Sequence, residues 1–177
     1  MNPFYERIDP ALERMALHAL PGPLGMKPLA YAVLNDEQQR MWEKLDAYQA
    51  PFLEEKLLIE GDFRTPEHYQ EAFTEWKRFL GLAKTSGRFL GMPSEKVDAV
   101  WHQFILFTPD YMKFCDEHYG RYFHHVPNIP SRKQGPDGVE ALVQEYVPRF
   151  GPLPPIWEVC SHRQDAVMAR SLTDRVV

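Results

Sequence analysis

The sequence contains only two cysteines, Cys115 and Cys160, in 177 residues. A disulfide-stapled secreted scaffold needs more, so reduced thiols in a cytoplasm are the expectation. No apolar stretch approaches the ~18 residues that a membrane span requires. The opening Met1-Asn2-Pro3-Phe4-Tyr5-Glu6 has no basic start leading into an apolar run, and does not read as a secretory signal. Positive charge is sparse as well. The densest basic stretch is Ser131-Arg132-Lys133, the formal net charge is −5 and the pI is about 5.8. Those values argue against the basic face on which non-specific nucleic-acid binding depends. Also missing are a Gly-rich phosphate loop, G-x-S-x-G and H-E-x-x-H. The Glu-x-x-His pairing of a di-metal bundle is absent too, since Glu67 is followed directly by His68.

What is present belongs to a folded protein. Apolar residues make up 44% and charged residues 25%, the balance of a globular chain rather than a disordered one. Aromatic residues reach 13%, and rings bury enough area that a core should not need disulfides. The 16 prolines argue for many short helices with hard stops. The expected organisation is one helical domain over residues 1–157, followed by a tail over 158–177 that is helical and loosely docked.

Capping signals and helical spacing predict an all-α fold. Asp9-Pro10 opens a short helix from Ala11 to Leu20, ended by Pro21-Gly22-Pro23. Asn35 or Asp36 caps a second helix carrying Met41, Trp42, Leu45 and Tyr48. Phe52 to Glu60 reads ambiguously. Thr65-Pro66-Glu67 starts the clearest helix, whose Tyr69, Ala72, Phe73, Trp76, Phe79 and Leu80 form a stripe for burial. Arg88-Phe89-Leu90 is too short to assign as a strand. Pro93-Ser94 starts a helix bearing Val97, Val100, Trp101, Phe104 and Ile105. Thr108-Pro109 caps the next, with Tyr111, Phe114, Cys115 and His118 on one face and Gly120 as its C-terminal cap. The two make a helical hairpin or corner. A proline-punctuated loop runs through Pro136, and Asp137 to Tyr146 is the last clear helix.

The chemically versatile residues fall between Val97 and Pro127. Asp98 and His102 are four apart on one helix, so the carboxylate can orient the imidazole, as it does for metal-ligating and general-base histidines. Cys115 lies on the inward face of the next helix, and His124-His125 follow that helix's end. A thiolate with imidazoles suits zinc or another borderline metal. The expected ligands are His102, Cys115, His124 and His125, with Asp98, Trp101 and Tyr111 behind them. The spacing, with twelve residues between His102 and Cys115 and eight between Cys115 and His124, matches no compact zinc motif. Three readings therefore stay open: a packed core with a satisfied histidine, a metal site, and acid–base or thiol chemistry. Cys115 lies mid-helix, away from the N-terminus that would help it ionise, which counts against a cysteine hydrolase. His18, His68 and His162 read as surface histidines.

The ordered positions Val97-Asp98-Ala99-Val100-Trp101-His102, Thr108, Tyr111, Cys115, Gly120 and His124-His125-x-Pro127 resemble the glycine-rich-domain-protein-like family, a domain of unknown function. The resemblance implies an all-helical domain with a shared Asp/Trp-His/Tyr/Cys cluster, and no activity. Plant members commonly carry a second histidine two residues after the Trp-His pair, where this chain has Phe104. They also append glycine-rich regions, whereas this chain has 10 glycines in all.

The function expected from sequence is thus a small intracellular binding domain with a His/Cys site, its partner another protein rather than nucleic acid or a membrane. Proline and aromatic density from Pro152 to Trp157 suits such a contact. The alternative is a metal-assisted hydrolase in which Asp98 orients His102. Fold stability alone is a third use for the cluster. It predicts that His102→Ala would cost roughly 1–3 kcal/mol by orphaning Asp98.

Overall fold

Local sequence sets most helix boundaries. Asn35 and Gln38 form a reciprocal capping box, Thr65 accepts a hydrogen bond from the His68 N–H, and Ser94 accepts one from the Val97 N–H. Each satisfies a first-turn donor that would otherwise be orphaned. The computed structural model describes residues 19–126 and 137–173 together with Asp9 and Ala11, and these include eight α-helices and no strand. They are α1 (Pro28–Ala32), α2 (Asp36–Ala47), α3 (Pro51–Glu60), α4 (Pro66–Ser86), α5 (Glu95–Leu106), α6 (Thr108–Tyr119), α7 (Asp137–Phe150) and α8 (Ser161–Thr173). Two 3-10 turns lie at Pro23–Gly25 and Pro155–Trp157. The expected all-α class is the observed one. No helix among the described residues is long and apolar enough to cross a membrane.

The aromatic stripe of α4 is the axis of the core. Tyr69 and Phe73 stack at 5.5 Å, as do Phe73 and Trp76, and Trp76 then meets Phe104 of α5 and Phe114 of α6. Tyr69, Phe73, Trp76, Phe104 and Phe114 are all buried, and burial on this scale supplies most of the drive to fold. Helix α4 packs against α2, α3, α5 and α7. At its crossing with α2 it needs a residue without a side chain: a Cβ on Gly81 would sit 2.3 Å from Trp42 Cη2.

One buried carboxylate ties the C-terminal elements to α4. Glu75 Oε2 accepts from Tyr146 Oη of α7 at 2.8 Å and from Trp157 Nε1 at 2.7 Å, while Oε1 pairs with Arg78 at 2.6 Å. A charge taken out of water needs such a full set of partners. Leu153 and Trp157 consequently face this chain's own core. Gln164 of α8 braces the same turn by bonding both backbone groups of Leu153.

Several local expectations change in the structure. The expected helix from Ala11 to Leu20 lies mostly outside the described residues, although Asp9 does accept from the Ala11 N–H. The loop expected through Pro136 likewise lies mainly outside them. The ambiguous Phe52–Glu60 stretch is helical, with Pro51 in its first turn. Arg88–Leu90 forms no strand. Thr108 is already helical instead of capping, because the chain breaks one residue earlier, at Phe107 with φ −81° and ψ 64°. Helix α7 does not stop at Tyr146 but runs through Pro148 to Phe150. A proline that late removes only one hydrogen bond. Lys27 meets the end of the helix, its Nζ donating to Val147 O and its N–H to Arg149 O. The segment after Trp157 contains α8, which packs on α7 with Val167 buried.

Candidate functional site

Helix α5 carries two of the site residues on one edge, and its rotation is fixed by the buried Val97, Val100, Trp101 and Phe104 on the opposite side. Asp98 is left half-buried and His102 exposed, one turn apart. The third residue arrives from the chain beyond α6. Gly120 ends that helix in the left-handed conformation, φ 68°, which a residue with a Cβ adopts only at a cost. The chain then returns over α5 as the segment 122–126, which is neither helix nor strand.

Four interactions hold that segment in place. Tyr111 Oη donates to the Phe123 carbonyl and accepts from Trp101 Nε1 at 2.9 Å. Cys115 Sγ accepts from the Phe123 N–H at 3.5 Å. Phe123 stacks on Trp101 with ring centroids 5.2 Å apart, and His125 meets the same indole edge-on at 4.5 Å. Burial pushes the Tyr111 phenol above its ordinary pKa, so it stays a neutral donor throughout the physiological range.

The result is a carboxylate between two imidazoles. His125 Nε2 lies 2.8 Å from Asp98 Oδ1, and His102 Nε2 lies 3.5 Å from Asp98 Oδ2. The two imidazole rings meet at 4.5 Å. One ligand atom from each of Asp98, His102 and His125 falls within 4.8 Å of the others. Two uses of this geometry differ in where the protons sit. As a hydrogen-bonded cluster, His125 carries its proton on Nε2 and gives it to Asp98. As a metal site, both Nε2 atoms present lone pairs, and ligand atoms about 3.3 Å apart would surround a tetrahedral ion. The His125–Asp98 pair would then open by about half an ångström.

The expected site residues thus divide. Asp98, His102 and His125 come together. Cys115 is buried on the inner face of α6, bonded to Phe123, and His124 is exposed with its ring 4.9 Å from Tyr122. Trp101 and Tyr111 support the segment that delivers His125. Asp98 was expected to orient His102, but its short contact is to His125, so loss of His102 alone would not orphan it. Phe123 is the residue that sequence reasoning missed: both of its backbone groups are anchored, and it has no polar side chain to draw notice. His68 and His162 are exposed as expected, whereas His18 lies outside the described residues.

The cluster lies within a stretch that has relatives. The chain belongs to the UCP032817-like family, whose model matches residues 40–143. No curated protein and no solved structure matches it. The UCP032817-like span runs from within α2 to within α7 and contains Asp98, Trp101, His102, Tyr111, Cys115, Phe123 and His125. It leaves out Trp157, which Glu75 fastens to it, and α8, which packs on α7.

Proposed function

We propose that this UCP032817-like domain binds a divalent metal ion, zinc foremost, through Asp98, His102 and His125. The observation that carries the reading is the approach of three ligand atoms to within 4.8 Å. Two imidazoles and a carboxylate suit a borderline metal. Cys115, expected from sequence as a ligand, is better read as an anchor, because its sulfur already receives the Phe123 N–H. The likeness to the glycine-rich-domain-protein-like family extends the reading, since its Asp/Trp-His/Tyr/Cys pattern would then be a ligand pair with the residues that support the third.

Element analysis of the purified chain after equilibration with zinc tests this. About one equivalent is expected, with stability raised by ~2.7 kcal/mol at a hundredfold excess over Kd. Asp98→Asn and His125→Gln should each lose the bound ion. Wild-type protein with less than about a tenth of an equivalent, or a melting temperature unmoved by zinc and by EDTA, sinks the proposal.

A hydrolase is the second reading, and the exposure of His102 favours it. With three protein ligands at an open edge, the fourth position falls to water, as in catalytic zinc sites. Zinc-dependent cleavage of an activated ester, lost in Asp98→Asn, is the corresponding assay.

A further inference from the structure

Beside the cluster, on the side of His125 and Trp101, the fold holds a cleft of about 280 Å³ between α4, the chain before α5 and the segment after α6. Its walls include Phe79, Leu90, Met92 and Trp101. Among the described residues, the polar side chains that reach it are those of Arg88, His124 and His125, and no carboxylate lines it. We propose that this cleft binds a small apolar monocarboxylate of about the size of octanoate, its tail against Trp101 and Leu90 and its carboxylate toward Arg88. The inference stands on the cleft's own lining and needs no metal at Asp98.

Three observations define the ligand class. The volume lies below the ~300–1,000 Å³ of sites for drug-sized molecules, which limits the occupant to a short chain or a single ring. The walls are aromatic and aliphatic, so most of the binding drive is burial of hydrocarbon. The charge at the cleft is positive. Arg88 lies 3.6 Å from Glu145, but that carboxylate is held more closely, at 2.8 Å, by Arg149. Arg88 also bonds the neutral Gln144 at 2.9 Å and stays about half exposed, at 47%. An anion there gains a charge-assisted hydrogen bond from the Arg88 guanidinium, which an ammonium group would instead be repelled by.

Calorimetric titration of the full chain in EDTA with octanoate, 1-octanol and octylammonium is the test. Octanoate should bind saturably with one site, and about tenfold more tightly than either analogue, the equivalent of one charge-assisted hydrogen bond. Arg88→Gln, a change at an exposed side chain, should erase that preference while leaving octanol binding unchanged. Ala83→Trp, filling the cleft from α4, should abolish binding of all three in protein whose helical signal is intact. Absence of saturation below about 10 mM octanoate overturns the proposal. So does equal affinity for octylammonium, or an unchanged preference in Arg88→Gln. Octanoate binding that appears only when zinc replaces EDTA places the carboxylate on the ion and overturns the cleft assignment while supporting the metal site.

Discussion

His125 Nε2 meets Asp98 Oδ1 at 2.8 Å across 27 positions of sequence, and this contact joins the end of the segment after α6 to the exposed edge of α5. The His125 side chain is 10% exposed and that of Asp98 27%, so the pair is shielded on one side and wet on the other. That asymmetry leaves the proposed ion site open on the side of His102.

The two histidines should therefore differ sharply on truncation. His125→Ala removes the Asp98 bond and the contact with Trp101, and should destabilise the metal-free protein by about 1–3 kcal/mol. His102 is 53% exposed, so His102→Ala should stay within about 0.5 kcal/mol. Urea denaturation of both variants checks the order. Equal losses would mean that Asp98 depends on both rings alike.

Tyr111→Phe leaves Trp101 Nε1 without an acceptor and the Phe123 carbonyl without its donor. The expected cost is roughly 1–3 kcal/mol, since each orphaned buried group carries a desolvation penalty. Amide exchange at Phe123 and His125 should quicken more than in α4, because the segment loses an anchor while the core keeps its packing. A uniform change across the chain would assign Tyr111 to global stability instead.

Gly81→Ala pushes a methyl into the Trp42 ring and should cost about 1–3 kcal/mol by overpacking. The smaller ring of Trp42→Phe makes room. The double variant should then be less destabilised than the sum of the two single changes, by at least about 0.5 kcal/mol. Strict additivity would show that α2 and α4 shift apart without strain.

His118 gives the protein an acid-side sensitivity. Its ring is buried, packed at 4.4 Å on Phe114 and 5.4 Å from Tyr48. Burial lowers its pKa below the ordinary 6.5, with Lys44 and Lys84 adding to the effect and Glu117 opposing it. The unfolded chain takes up a proton as pH falls through 6.5, while the native imidazole resists it. The contribution to stability is thus intact above that pH and shrinks as pH drops toward and past the lowered native value. His118→Phe keeps the ring packing and should flatten the fall in denaturation midpoint between about pH 7 and 5. An unchanged slope would assign the effect to other groups.

The sequence by itself determined where most helices begin and which faces they bury. Asn35, Thr65 and Ser94 each satisfy a donor within three residues, and the stripe from Tyr69 to Leu80 repeats at helical spacing, so both signals are complete in a short window. Pro148 and Phe107 escaped such reading because a proline in the last turn and a break one residue ahead of a good cap leave the local signal ambiguous. The candidate site divides in the same way. Asp98 and His102 were legible as a pair because one helical turn joins them. That His125 rather than His124 or Cys115 completes the group was decided only by tertiary structure. Its position depends on Tyr111, Cys115 and Trp101 gripping Phe123, which leaves His125 partly buried against Asp98 and His124 exposed.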